Sequence, residues 1–157
     1  MSEWVAYRNR EAGLTLEHPT GWEAVEDVAG CVVVVLAPQS GVEGFRANVG
    51  VTAQKLPGPA DLEVFTASQM ESVGRVLTDA RLIDRGDTRL LGRNAKRVLV
   101  AYRQGIHTLA LEQWWAVAGH DSDAGAVILS ASCAVLDYDD YADTFAHIAA
   151  SLRTDGA

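Results

Sequence analysis

Residues 47–77 read ANVGVTAQKLPGPADLEVFTASQMESVGRVL, and within them the apolar period changes from two to about 3.6. Val49, Val51 and Ala53 alternate with polar neighbours, which predicts a strand over Ala47–Gln54. Pro57-Gly58-Pro59 ends it, and Asp61 is the candidate N-cap of a helix. Leu62, Phe65, Gln69, Val73 and Val76 recur at steps of three and four, with Met70 and Leu77 widening the stripe. This helix, over Asp61–Leu77, is expected to lay its stripe on a sheet.

On the N-terminal side, Leu14–His18 alternates and Thr20-Gly21 supplies turn chemistry before Trp22–Val25. A hairpin is expected there, with Trp22 as a core anchor. Cys31–Leu36 is a β-branched run of the kind found in strands covered on both faces. On the C-terminal side a β-meander is expected. Its strands are Leu82–Leu91 (interrupted near Gly86-Asp87), Lys96–Arg103, Ile106–Ala118 and Ala126–Val135. Gly92-Arg93-Asn94 and Gln104-Gly105 are the expected turns, and His120–Ala124 a polar loop. A second helix comes next over Tyr138–Leu152, with Asp137 as N-cap, Tyr141, Phe145, Ile148 and Leu152 as the core stripe, and Arg153 at its C-terminal end. The order of strands, helix, meander and helix predicts an α+β fold: one domain over residues 1–157, with an antiparallel twisted sheet and two main helices packed on it.

The chain has 157 residues, of which 48% are hydrophobic and 22% charged, and a formal net charge of -8. That apolar content excludes intrinsic disorder, and the length suits one core. No run reaches the roughly 20 apolar residues of a membrane span. The acidic balance argues against nucleic acid, whose phosphates select clustered Lys and Arg. Lys55 and Lys96 are the only lysines among 13 basic residues, a bias typical of GC-rich bacteria. Cys31 and Cys133 lie in apolar strand-like runs and read as small core residues. Their pairing would require neighbouring strands. The N-terminus shows no apolar leader, so a cytoplasmic location is expected.

Catalytic chemistry finds little support. His18, His107, His120 and His147 fall in separate elements, so no two of them share a helical face as metal ligands would. His120-Asp121-Ser122-Asp123 reads as a solvated loop and not as a cation site. No Gly-x-Ser-x-Gly elbow or phosphate loop surrounds Ser68, Ser72, Ser130 or Ser132. No cofactor is expected. Trp114 and Trp115 are adjacent in a strand and must point to opposite faces. Trp115 shares its face with Leu109, Leu111 and Val117, the pattern of a core. Trp114 shares its face with Thr108, Glu112 and alanines, and is expected to stand exposed as a partner-binding residue with Tyr102 and Arg46 beside it.

Four segments together resemble a known family. Gly13–Glu23 (GLTLEHPTGWE) resembles the opening of PsbP-like and DcrB-like domains. Phe45–Met70, Leu82–Tyr102 and Tyr138–Arg153 are similar, in the same order, to segments of actinobacterial LpqN/LpqT-type proteins. The resemblance implies an α/β/α sandwich and a non-catalytic binding or chaperone-like adaptor for a protein or apolar peptide, with a secretion system as one setting. It leaves homodimerisation open. A carrier of a small apolar ligand and a hydrolase built on His with Ser or Asp are the alternatives. The family's lipidated cysteine has no counterpart here, and Ala47 replaces a proline.

Overall fold

A computed structural model describes residues 3–39, 45–119 and 123–155. Seven strands form one antiparallel sheet: β3 (Glu23–Val28), β4 (Cys31–Leu36), β5 (Asn48–Lys55), β9 (Gly125–Ala134), β8 (His107–Ala118), β7 (Arg93–Gln104) and β6 (Thr78–Leu90), in that spatial order. The four strands from β6 to β9 are the expected meander. A smaller sheet sets β2 (Leu14–Pro19) between β1 (Trp4–Asn9) and β10 (Arg153–Thr154). Helix α1 (Leu62–Val76) and helix α2 (Tyr138–Ser151) take opposite faces of the large sheet. The fold is α+β, with the sheet between helical layers.

Strand alternation sorts the core into two parts. On the α2 face, Val33, Val35, Val49, Val51, Leu129 and Ala131 pack with Phe145, Ile148 and Leu152 of the helix side and with Leu14 and Leu16 of β2. The other face holds a smaller cluster in which Phe65 of α1 meets Val98, Trp115, Ala126 and Ile128. Helix α1 begins where Asp61 Oδ1 accepts the Val64 amide at 3.1 Å, the N-cap bond expected of that residue. It buries only Phe65 and Thr66, and Val76 of the expected stripe is 68% exposed. Helix α2 buries Phe145 and Ile148, but the Asp137 side chain makes no cap bond.

Several expectations are corrected. Leu14–His18 and Trp22–Val25 do not form a hairpin, because β2 pairs with β1 and β10 while β3 pairs with β4. Trp22 still packs against the core, edge-on to Tyr141 at 6.2 Å. β4 is buried on one face only, since α1 lies over β6, β7 and β8 instead: Val33 and Val35 are buried, Val32 and Val34 half-buried. β6 runs on past Gly86, and its two irregularities fall earlier, between Thr78 and Arg81 and between Leu82 and Asp84. The β6–β7 turn is Leu91-Gly92, with both φ positive (56° and 72°), as a type I′ turn requires. The β7–β8 turn is shifted by one residue to Gly105-Ile106, because Gln104 pairs with His107. Cys31 and Cys133 are free thiols, with β5 lying between their strands. Two strand spacings come to about 10 Å, beyond the roughly 7 Å that a disulfide spans.

Candidate functional site

The expected exposure of Trp114 is overturned: the residue is 4% exposed and belongs to the α2-side core. Its face looks mixed in sequence because Glu112 and small alanines flank it. Ala110, Ala116 and Ala131 leave the room an indole needs, and all three are buried with it. Glu112 is 3% exposed and anchored by distant groups. Arg97 Nε donates to Glu112 Oε2 at 2.5 Å, and the Tyr138 hydroxyl donates to the same oxygen at 2.9 Å. Arg97 Nη1 also donates to Asp84 Oδ2 at 3.1 Å. Burial raises the Glu112 carboxyl above its ordinary pKa despite these donors, and burial with the Glu112 bond pushes the Tyr138 hydroxyl up to about 12. This cluster ties the start of α2 to β7 and β8.

Trp115 is fully buried beneath α1, as its face predicts. Its Nε1 donates to Gln113 Oε1 at 2.9 Å, and Gln113 Nε2 donates to Ser130 Oγ at 2.8 Å, so the indole has a partner. Tyr102 lies on this α1 face, four residues along β7 from Val98 and two from Val100. Arg46 is elsewhere, at the end of β5, where Nε donates to the Ala37 carbonyl and Nη2 reaches Glu23 at 3.4 Å. Trp114, Tyr102 and Arg46 therefore do not form one site.

Tyr102 does line an open cleft of about 560 Å³, with Val76 and Leu77 at the end of α1, Asp79, and Arg103 to Gly105 of the β7–β8 hairpin. Burial raises the Tyr102 hydroxyl pKa. At the same end of the sheet two apolar side chains project: Ile106 and Leu136, each 93% exposed. Leu109 pairs with Ala134, so Ile106, three residues before that rung in the turn that enters β8, and Leu136, two residues after it in the turn that leaves β9, lie at one end of the sheet. Neither residue is flagged by strand periodicity, because both occupy turn positions. The available signal is an apolar side chain inside a turn: Gly105-Ile106, and the 3-10 turn Val135–Asp137.

The described groups give a hydrolase little to work with. The His107 ring has no hydrogen-bond partner among the described residues, its backbone pairing with Gln104, and His120 lies outside them. His147 Nε2 meets Glu17 Oε1 at 2.8 Å and its ring stacks on Trp4 with centroids 3.5 Å apart. Ser151 lines a second open cleft with His147 and Glu17, but its hydroxyl donates to the Ile148 carbonyl at 2.7 Å and accepts the Glu17 amide at 2.8 Å. A hydroxyl held in both roles has no proton to give a base. Among the described residues no three His, Cys, Asp or Glu side chains gather as metal ligands, and His120–Ser122 fall outside them. The clefts at Tyr102, at His147 and at Ala53 open to solvent, whereas two hollows of about 230 Å³ beside α1, one lined by Leu56, Val64 and Phe65, are more enclosed.

No protein-family model matches the sequence, and no curated protein is similar enough to count as a relative. Solved structures do match. LpqN of Mycobacterium tuberculosis, described as involved in cell envelope biogenesis, has a TM-score of 0.77 at 13% identity, covering 97% of this chain and 90% of that one. The cyanobacterial PsbP (CyanoP) of Synechocystis sp. PCC 6803 has a TM-score of 0.61 at 16% identity, covering 98% and 94%. The Ran-binding protein Mog1p of Saccharomyces cerevisiae has a TM-score of 0.66 at 10% identity, covering 98% and 96%. With a seven-stranded antiparallel sheet between its helices, the chain has the PsbP-like fold shared by LpqN and CyanoP.

Proposed function

We propose that this chain is a non-catalytic protein-binding module, and that it engages an apolar segment of its partner at the sheet end carrying Ile106, Leu136 and the Tyr102 cleft. The observation that carries the reading is the pair of apolar side chains at one end of the sheet, each 93% exposed and more open to water than the other exposed large apolar residues. Large apolar groups in water mark contact sites when they cluster, and a projecting pair beside a cleft suits a peptide or helix with apolar residues. Likeness to a Ran-binding protein supports the general class without naming a partner. The finer reading is a chaperone-like adaptor for apolar peptide, working in the cytoplasm. The two thiols, kept apart by β5, are compatible with a reducing compartment.

The test is photo-crosslinking in the native host with the wild-type chain, with Ile106→Asp/Leu136→Asp, and with Val5→Asp. Val5 is an exposed apolar residue on the small sheet and serves as the control. One defined protein captured by wild type and by Val5→Asp, and lost from the double variant with the melting temperature unchanged, is the expected result. Capture that survives in the double variant overturns the reading.

A further inference from the structure

We infer that β6 is a self-pairing edge, through which two copies of this chain join antiparallel about a two-fold axis between Leu82 and Ile83. Among the described residues β6 is the outermost strand of the large sheet and pairs on one side only, with β7. It spans 13 residues, long for a strand left open. Natural edges are blunted by charge or by bulges that turn the strand aside. Of the two register shifts in β6, the one between Thr78 and Arg81 lies outside the stretch Arg81–Asp84, and the other skips Ile83 and leaves two consecutive apolar residues in water: Leu82 is 48% exposed and Ile83 54%.

The flanking charges make this stretch self-complementary. Arg81-Leu82-Ile83-Asp84, laid antiparallel on a second copy about its midpoint, sets Arg81 against Asp84 and Leu82 against Ile83, twice over. Two-fold contacts use one patch on both copies, so a patch must complement its own reverse. A shift of the axis onto Ile83 would set Arg81 against Arg85, and a shift onto Leu82 would set Arg81 against Ile83. The chosen register is the one that matches both charge and apolar character. Asp84 accepts from Arg97 and from the Arg85 amide but remains exposed, so its carboxylate can take a further donor. The paired segment ends near Ala80, because Asp79 has a φ of +52° and leaves the extended conformation.

The test is sedimentation equilibrium on the full chain and on Arg81→Asp, Asp84→Arg and their equimolar mixture, with circular dichroism as the check on folding. Wild type should show a concentration-dependent species at twice the 16.8 kDa of the chain. Each single variant sets like charges across both outer rungs and should remain monomeric. The mixture restores Asp against Arg on both rungs and should recover the doubled mass, which a misfolded variant could not do. A wild type that remains monomeric at all concentrations overturns the inference. So does a single variant that still dimerises, or a mixture that does not.

Discussion

The two faces of the large sheet are built differently. On the α2 face the helix and the small sheet together close over a core of β-branched residues, with Trp114 and Phe145 inside it. On the α1 face one helix lies over β6, β7 and β8, buries two of its own side chains, and leaves Val32, Val34 and Tyr102 half-covered. One face is thus a broad, shared core, and the other is a smaller patch with open ground beside it. Buried apolar packing in this fold is concentrated on the α2 side.

Removing one aromatic ring from each core tests this contrast most directly. Phe145→Ala should cost about 3–5 kcal/mol, the range for a fully enclosed phenylalanine, because α2 and the small sheet cannot both collapse onto the gap. Phe65→Ala should fall at or below about 3 kcal/mol, since its surroundings can relax toward solvent. Urea unfolding of both variants checks the order, and equal losses would erase the distinction between the faces. Next comes Tyr138→Phe, which deprives the buried Glu112 carboxylate of one donor while keeping the ring. A loss of about 1.5–3 kcal/mol is expected for a hydrogen bond to a charged group, read in the same denaturation series. The smallest contrast lies at the helix starts. Asp61→Ala removes a bond made to Val64 and should cost about 1 kcal/mol, whereas Asp137→Ala removes no cap bond and should stay within about 0.5 kcal/mol. Thermal melts resolve the two, and equal effects would show that both helices are capped alike.

Both helices, the cap at Asp61 and the meander are legible in the sequence because each rests on local periodicity or on a residue's own backbone preference. The failures have a common cause in partners far along the chain. Trp114 reads as surface because Glu112 is polar, yet Glu112 is buried once Arg97 and Tyr138 arrive from other elements. The small sheet is missed because β2 finds its neighbours in β1 and in β10, and neither short strand carries a strong alternating signal. At the candidate site Tyr102 is found, while Ile106 and Leu136 are not: Ile106 reads as the start of a strand, and Leu136 lies in a turn with no apolar period from which it could stand out. Val76 fits the helical stripe but overhangs the sheet, because α1 covers only one corner of it.

The small sheet also sets a timetable. Thr15 and Leu14 take their second strand partners from Arg153 and Thr154, so the stretch made early is finished only by a stretch made late. Ser151 closes the same loop in sequence, holding the Glu17 amide, as does His147 on the Glu17 carboxylate. Such long-range closure is entropically the slowest kind to complete. On the ribosome, β1 and β2 must therefore wait as an unfinished hairpin, with Leu14 and Leu16 uncovered, until residues 145–154 have been synthesised. The meander, whose strands follow one another directly, has no such wait.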